Sequence, residues 1–215
     1  MGDAILALFT EQSASNDRSS ADNALRAALA MMRSLHVYND EREAMGQNRI
    51  RVGIGLNTGP LILGTVGSSR RMDTTVVGDS VNLASRLEGL TARYAIPILL
   101  TDHTYRYLRS PADYRLREVD AVVVKGKTRP VVIYEAYDHE PDEVIARKLR
   151  MQSDFSLGIA HYRGRDFTKA AQLFEQCLRV DPDDIIVHTH LERCRIYASA
   201  PPPEDWVGAV VLGSK

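Results

Sequence analysis

A chain of 215 residues, 44% apolar and 26% charged, has room for one good-sized core plus a small second module. Its net charge of −1 provides no basic surface for nucleic acid or anionic lipid, and no apolar run nears the ~20 residues of a membrane span. Cys177 and Cys194 form no CxxC pair, and the opening MGDAILALF lacks the basic flank and length of a signal peptide. The expectation is a cytoplasmic protein with buried, reduced thiols.

In chain order, residues 3–9 are short and apolar, strand or buried helix by pattern alone. A polar, turn-like stretch follows. From Ser20 the spacing of Ala24, Leu25, Ala28, Met32 and Leu35 predicts a helix, with Met31 and Met32 as core-packing residues. Residues 50–56 alternate Val52, Ile54 and Leu56 with Arg51, Gly53 and Gly55, a half-buried strand with bare backbone on one face. Glycines continue at 59, 64 and 67, but no GKS, GKT or helix-opening GxGxxG accompanies them, which excludes a Walker or Rossmann phosphate loop.

Residues 73–89 read DTTVVGDSVNLASRLEG. A β-branched strand over 74–77 gives way to a turn at Gly78–Asp79 and a helix from Ser80 or Val81, with Asp79 and Ser80 as candidate caps. Leu83, Leu87 and Leu90 make its apolar stripe, while Asn82 and Arg86, four apart, share another face. An amide beside a guanidinium fork can hold sugar and phosphate oxygens. On that pair alone, a solvated helix face is the plainer reading.

Further on, residues 96–101 read as a strand led in by Pro97, and Asp102 as the cap of a short helix. Residues 119–124 and 131–137 form a predicted hairpin with a basic tip. At DHEPD, residues 138–142, the pattern turns helical, and a helix is expected over 185–197. His188 and His190, two apart on it, point different ways and read as surface or packing residues. Ala200–Pro203 stops this helix, and EDWVGAVVL beyond it is expected to fold back on Trp206.

The string VVGDSVNLASRLEGL resembles the signature of the class III nucleotidyl cyclases, which convert ATP or GTP to a 3′,5′-cyclic nucleotide. GDAILALF, RVGIGLNTGPLILGTVGS and VKGKTRPVVIYEAY match the same family in the same order. The resemblance implies an α+β fold, the ferredoxin-like cyclase sandwich, over residues 1–140, in which residues 3–9 are the second strand of a hairpin. A second resemblance covers the helical part. Leu157, Gly158, Ala170, Phe174 and Pro182 sit at the spacing of a tetratricopeptide repeat, with Asp154 in place of its Trp. This implies a small all-α module over 141–200, followed by a Pro-rich, Trp-containing tail over 201–215. One and a half repeats cannot close their own apolar face, so the module is expected to lean on the cyclase domain or a partner chain.

The cyclase resemblance also implies roles. Asn82 matches the amide that orients the ribose and Arg86 the arginine that stabilises the pentavalent phosphorus. Lys125 matches the lysine on the triphosphate, with Lys127 a weaker candidate kept out of the site. Thr75 matches a base-reading position, where adenylate cyclases carry Asp or Thr and guanylate cyclases usually Cys. Asp3 matches one of two aspartates that hold two Mg²⁺ or Mn²⁺ ions. The other aspartate, in a D-[IL]-x-G-F-T setting, and a base-reading lysine before GDA have no match. The expectation is therefore the C-terminal two-thirds of a catalytic domain, with its first strand and helices upstream of Met1, inactive alone. It is also expected to be cytoplasmic, or the cytoplasmic part of a membrane-attached sensor, without membrane or nucleic-acid contact of its own.

Family sites form across a head-to-tail homodimer, so a second copy or a full-length cyclase subunit is the implied partner. The function implied is an adenylate cyclase acting on ATP in signal transduction. The alternatives are a guanylate cyclase, or a non-catalytic cyclase-fold scaffold with a helical interaction tail.

Overall fold

The computed structural model describes residues 4–11, 19–68, 71–123 and 129–211, with the backbone alone at 65–68, 71–75 and 211. Candidates Asp3 and Lys125 lie outside the described residues. The chain divides into two units, the first comprising Met1–Ala92 and Pro97–Tyr114, the second Arg93–Ile96 and Arg115–Lys215.

In the first unit, residues 4–10 adopt no regular structure and Ile5 is 93% exposed. The expected strand is absent there because no ladder partner meets it among the described residues, and an extended segment without one leaves its backbone to water. Helix α1, Ser20–Ala44, starts on a capping box in which Ser19 and Asp22 exchange bonds, Ser19 N to Asp22 Oδ2 at 2.8 Å and Asp22 N to Ser19 Oγ at 3.1 Å. Leu25, Ala28, Leu29 and Met32 are buried, whereas Met31 falls on the outer face, one residue out of phase with the stripe.

Strand β1 covers only Ile54–Leu56 of the seven residues expected. Asn39 of α1 accounts for the difference: its side chain accepts from Ile50 N at 2.8 Å and donates to Ile50 O at 2.9 Å, taking the groups a ladder would use. β1 pairs in parallel with β4, Ile98–Thr101, in the register Ile54↔Ile98. Between them in sequence, β2 (Ile62–Ser68) and β3 (Arg71–Val77) form an antiparallel hairpin, followed by helix α2, Asp79–Tyr94. The bare face of β1 lets α2 approach closely. A Cβ at Gly55 would lie 2.4 Å from the Ala84 carbonyl oxygen, and one at Gly53 2.0 Å from Thr91 Oγ1. Helix α3, Asp102–Tyr107, is capped by Thr101, whose Oγ1 accepts from Thr104 N at 3.3 Å, and not by the expected Asp102, which becomes its first residue.

In the second unit, β5 (Leu116–Val123) and β6 (Val131–Ala136) pair antiparallel, with a shift between Glu118 and Asp120 that leaves Val119 as the extra residue of a bulge. Three helices follow: α4 (Asp142–Arg163), α5 (Phe167–Val180) and α6 (Ile185–Ser199). Connections of three and four residues make them consecutive antiparallel neighbours. Their shared core holds Phe155, Ile159, Tyr162, Ala170, Phe174, Cys177, Leu191 and Cys194, and both cysteines are free and buried. Gly158 is where α4 and α5 meet most closely, since a Cβ there would lie 2.7 Å from the Phe174 ring. The tail does fold back: Trp206 packs among Tyr162, Phe167 and Tyr197, and β7, Val210–Val211, pairs in parallel with β5 at Val122↔Val210.

No described helix is long and apolar enough to cross a membrane.

Candidate active site

Helix α2 begins at Asp79, not at Ser80 or Val81. The Gly78 carbonyl accepts from Val81 N at 3.1 Å and Asn82 N at 3.3 Å, so Gly78 takes the capping place and Asp79 sits in the first turn, where an anion suits the helix dipole. Gly78 is small for a reason, since a Cβ there would lie 3.2 Å from the Pro60 carbonyl oxygen.

The first turn is locked to the loop after β1. Ser80 Oγ donates to Pro60 O at 2.9 Å, and Asn57 Nδ2 donates to Ser80 O at 3.0 Å. Asn57 is held in turn by Thr101, whose Oγ1 donates to Asn57 Oδ1 at 2.8 Å. Thr104 Oγ1 donates to Leu56 O at 3.2 Å and accepts from Thr58 Oγ1 at 3.2 Å. The chain of side chains Ser80, Asn57, Thr101, Thr104 thus fixes the position and rotation of α2. Sequence reasoning gave Ser80 the role of a cap and the other three none; Asn57 and Thr58 directly after a glycine-rich strand were the available signal.

With rotation fixed, burial assigns the faces. Leu87 and Leu90 are buried, while Asn82 and Arg86 are exposed. Residues four apart on a helix bring their Cβ atoms to about 5–6 Å, so amide and guanidinium stand side by side on the open face. Thr75 lies on β3 opposite Gly64 of β2, three residues before the Gly78 turn that leads into α2. Of the five site candidates, the structure therefore brings Asn82 and Arg86 onto one face and puts Thr75 on the strand feeding it.

Metal donors are a different matter. Among the described residues no three His, Cys, Asp or Glu side chains converge in a way that could hold an ion. Asp3, the ligand that the resemblance implies, lies outside the described residues.

Comparison with known proteins places the chain in a family. The adenylate and guanylate cyclase catalytic domain matches residues 1–135, a span holding all five candidates. The chain belongs to that family. It is 35% identical over 195 residues to the terminal-differentiation specific adenylate cyclase of Dictyostelium discoideum, covering 90% of this chain and 9% of that protein. It is 46% identical over 140 residues to an adenylate cyclase of Anabaena cylindrica, covering 63% of this chain and 26% of that one. The adenylyl cyclase CyaB from P. aeruginosa aligns with a TM-score of 0.46 at 33% identity, covering 56% of this chain and 61% of the other. The chain spans roughly a tenth and a quarter of the two curated relatives. A match over 90% of the chain cannot fit within residues 1–135, so the Dictyostelium likeness runs on into the helices α4–α6.

Proposed function

We propose that this chain carries one half-site of an adenylate cyclase, which turns ATP into 3′,5′-cyclic AMP and pyrophosphate. The observation that carries the reading is the exposed Asn82–Arg86 pair on a helix whose first turn is locked by four side chains. A positioned amide and guanidinium are what the reaction asks of a protein. The ribose 3′-oxygen attacks the α-phosphorus in line, the bond from that phosphorus to the bridging oxygen of the β-phosphate breaks, and the 3′-hydroxyl proton leaves to solvent. Asn82 orients the ribose, and Arg86 meets the charge that grows on the equatorial oxygens. Lys125 takes the triphosphate and Thr75 accepts from the adenine amine. Both curated relatives above are named adenylate cyclases, which supports ATP over GTP.

The same reading includes a head-to-tail homodimer with Asp3 on the opposite side of each shared site, as the metal ligand for Mg²⁺ or Mn²⁺. Residues 1–140 form the catalytic domain, 141–200 a tetratricopeptide-like module and 201–215 the returning tail. Burial of Gly158, Ala170, Phe174 and Cys177 against one another supports the module assignment. Product analysis tests the function: the natural full-length protein, given ATP or GTP in parallel, is expected to release cyclic AMP. Preferential cyclic GMP would make it a guanylate cyclase, and no cyclic nucleotide at all a scaffold.

A further inference from the structure

Within the second unit, the tail that leaves α6 is held by three separate devices. The first is a clamp. Arg165, in the turn between α4 and α5, has φ 64°, a left-handed backbone that ordinarily goes to glycine or asparagine. Strain of this kind persists only where the surroundings compensate it. Here the Arg165 guanidinium reaches the tail, with Nη1 donating to Pro203 O at 2.9 Å and Nη2 to Pro202 O at 2.5 Å.

The second device is a socket of rings. Trp206 stands 5.2 Å from Tyr162, 5.8 Å from Phe167 and 5.4 Å from Tyr197 between ring centroids. The third is a ladder. Gly208, at φ 72°, turns the chain where a side chain would be strained, and so delivers Val210 and Val211 to the edge of β5 that β6 leaves open.

None of the three depends on the covalent link to α6. Each recognises the tail by its own carbonyls, its one tryptophan or its extended backbone. The link itself carries prolines at 201, 202 and 203, which have no N–H to lose by taking another path. A vacated site, by contrast, is costly, because it bares the N–H and C=O groups of β5 and opens the ring socket to water. A second copy of the chain brings a tail of the same sequence, which meets the same clamp, socket and ladder. Exchange of an identical element is a low-cost route to a dimer for this reason.

We propose that residues 201–211 are an exchangeable tail. The surface formed by Arg165, the three rings and the outer edge of β5 is a docking site for the tail of a second copy as well as for the chain's own. The exchange is separate from the head-to-tail pairing of the proposed function, and neither needs the other.

Disulfide trapping in the natural full-length protein tests it. Val122 and Val210 are registered neighbours on adjacent strands, about 4.8 Å apart and within disulfide reach. One copy carries Val122→Cys, the other Val210→Cys, and the two are mixed and mildly oxidised. Cys177 and Cys194 are buried and are present in every control. The mixture should give a disulfide-linked product of two chains, roughly tenfold more than either variant alone and rising with protein concentration. Excess peptide PPPEDWVGAVV, the sequence of residues 201–211, should suppress the product several-fold. Arg165→Gly in the Val122→Cys copy should suppress it as well, since glycine suits the backbone there and only the clamp is lost. The double variant Val122→Cys/Val210→Cys reads closure within one chain. If it closes while the mixture gives no two-chain product at any concentration, the tail is a fixed strap and the exchange is overturned. If the double variant fails to close, the ladder itself is refuted. A two-chain product indifferent to both the peptide and Arg165→Gly would show that the contact is not tail docking, and would overturn the proposal too.

Discussion

His190 Nε2 lies 2.8 Å from the carbonyl oxygen of Val119, the residue that the bulge pushes out of the β5–β6 ladder. A bulge frees a backbone acceptor, and a buried free acceptor costs about 1–3 kcal/mol unless a donor is supplied. The neutral imidazole supplies it with Nε2–H, while Nδ1 is buried and has no partner among the described residues. Stacking on Phe174 at 5.4 Å between ring centroids holds the ring in place.

Protonating Nδ1 would bury a charge that has no acceptor there. Burial pushes the His190 pKa down to about 4, against a smaller upward pull from Asp120 and the Val119 carbonyl, with Arg193 and Arg117 adding to the depression. An imidazole whose folded pKa lies below its unfolded one favours folding most above the unfolded value, near 6.5. That contribution fades as pH falls from about 6.5 to about 4, since the unfolded chain then binds the proton more readily. The span is worth up to about 3 kcal/mol. Denaturant midpoints measured at pH 7 and pH 5 should fall on acidification, and the fall should shrink in His190→Gln.

Asp120 ties the end of α2 to α6. Its Oδ2 accepts from the Tyr94 hydroxyl at 2.7 Å and from Arg193 at 2.7 Å. Tyr94→Phe leaves the ring in place and removes one donor from a buried carboxylate. It should destabilise the protein by about 1–3 kcal/mol, read as a lower urea midpoint with an unchanged slope.

Gly158→Val should be worse. The Phe174 ring, fully buried against the glycine, has no room to retreat. Overpacking here should cost about 1–3 kcal/mol or more, outweighing the gain in helix propensity, and should lower the melting temperature.

The elements were legible where periodicity had several turns or strands to express itself. The stripe of α1 and the burial of Leu87 and Leu90 came from spacing, as did the last helix over 185–197, while the division of the preceding helical stretch into α4 and α5 did not. What sequence could not give was decided by single long-range bonds. Asn39, reaching Ile50 across eleven residues, shortened β1. Gly78 displaced Asp79 and Ser80 as cap because Ser80 was needed by Pro60. The expected strand at residues 3–9 had the right composition, but composition supplies no partner for a ladder. The Asn82–Arg86 pair was readable as neighbours, but the lock that orients their helix was not. Nor was the buried set Lys148, Glu135, Arg117 and Asp184, joined by ion pairs between residues 13, 18 and 67 apart.

The tail contributes through Trp206, packed on Tyr162, Phe167 and Tyr197, with Arg165 over its ring at 5.9 Å. Trp206→Ala should cost about 2 kcal/mol by loss of this cluster. It should also loosen β7 from the edge of β5, seen as faster exchange at Val210.

The open face of α2 carries the chemistry proposed for this chain. Steady-state kinetics of Arg86→Ala in the natural full-length protein measure this directly. A guanidinium that meets charge developing only in the transition state lowers kcat when removed, by roughly 10²–10³-fold, with KM for ATP little changed. Arg86 is exposed, and its removal is expected to leave the melting temperature where it was. A change in KM alone, or no change in either constant, would show that Asn82 and Arg86 are a solvated helix face and not the site.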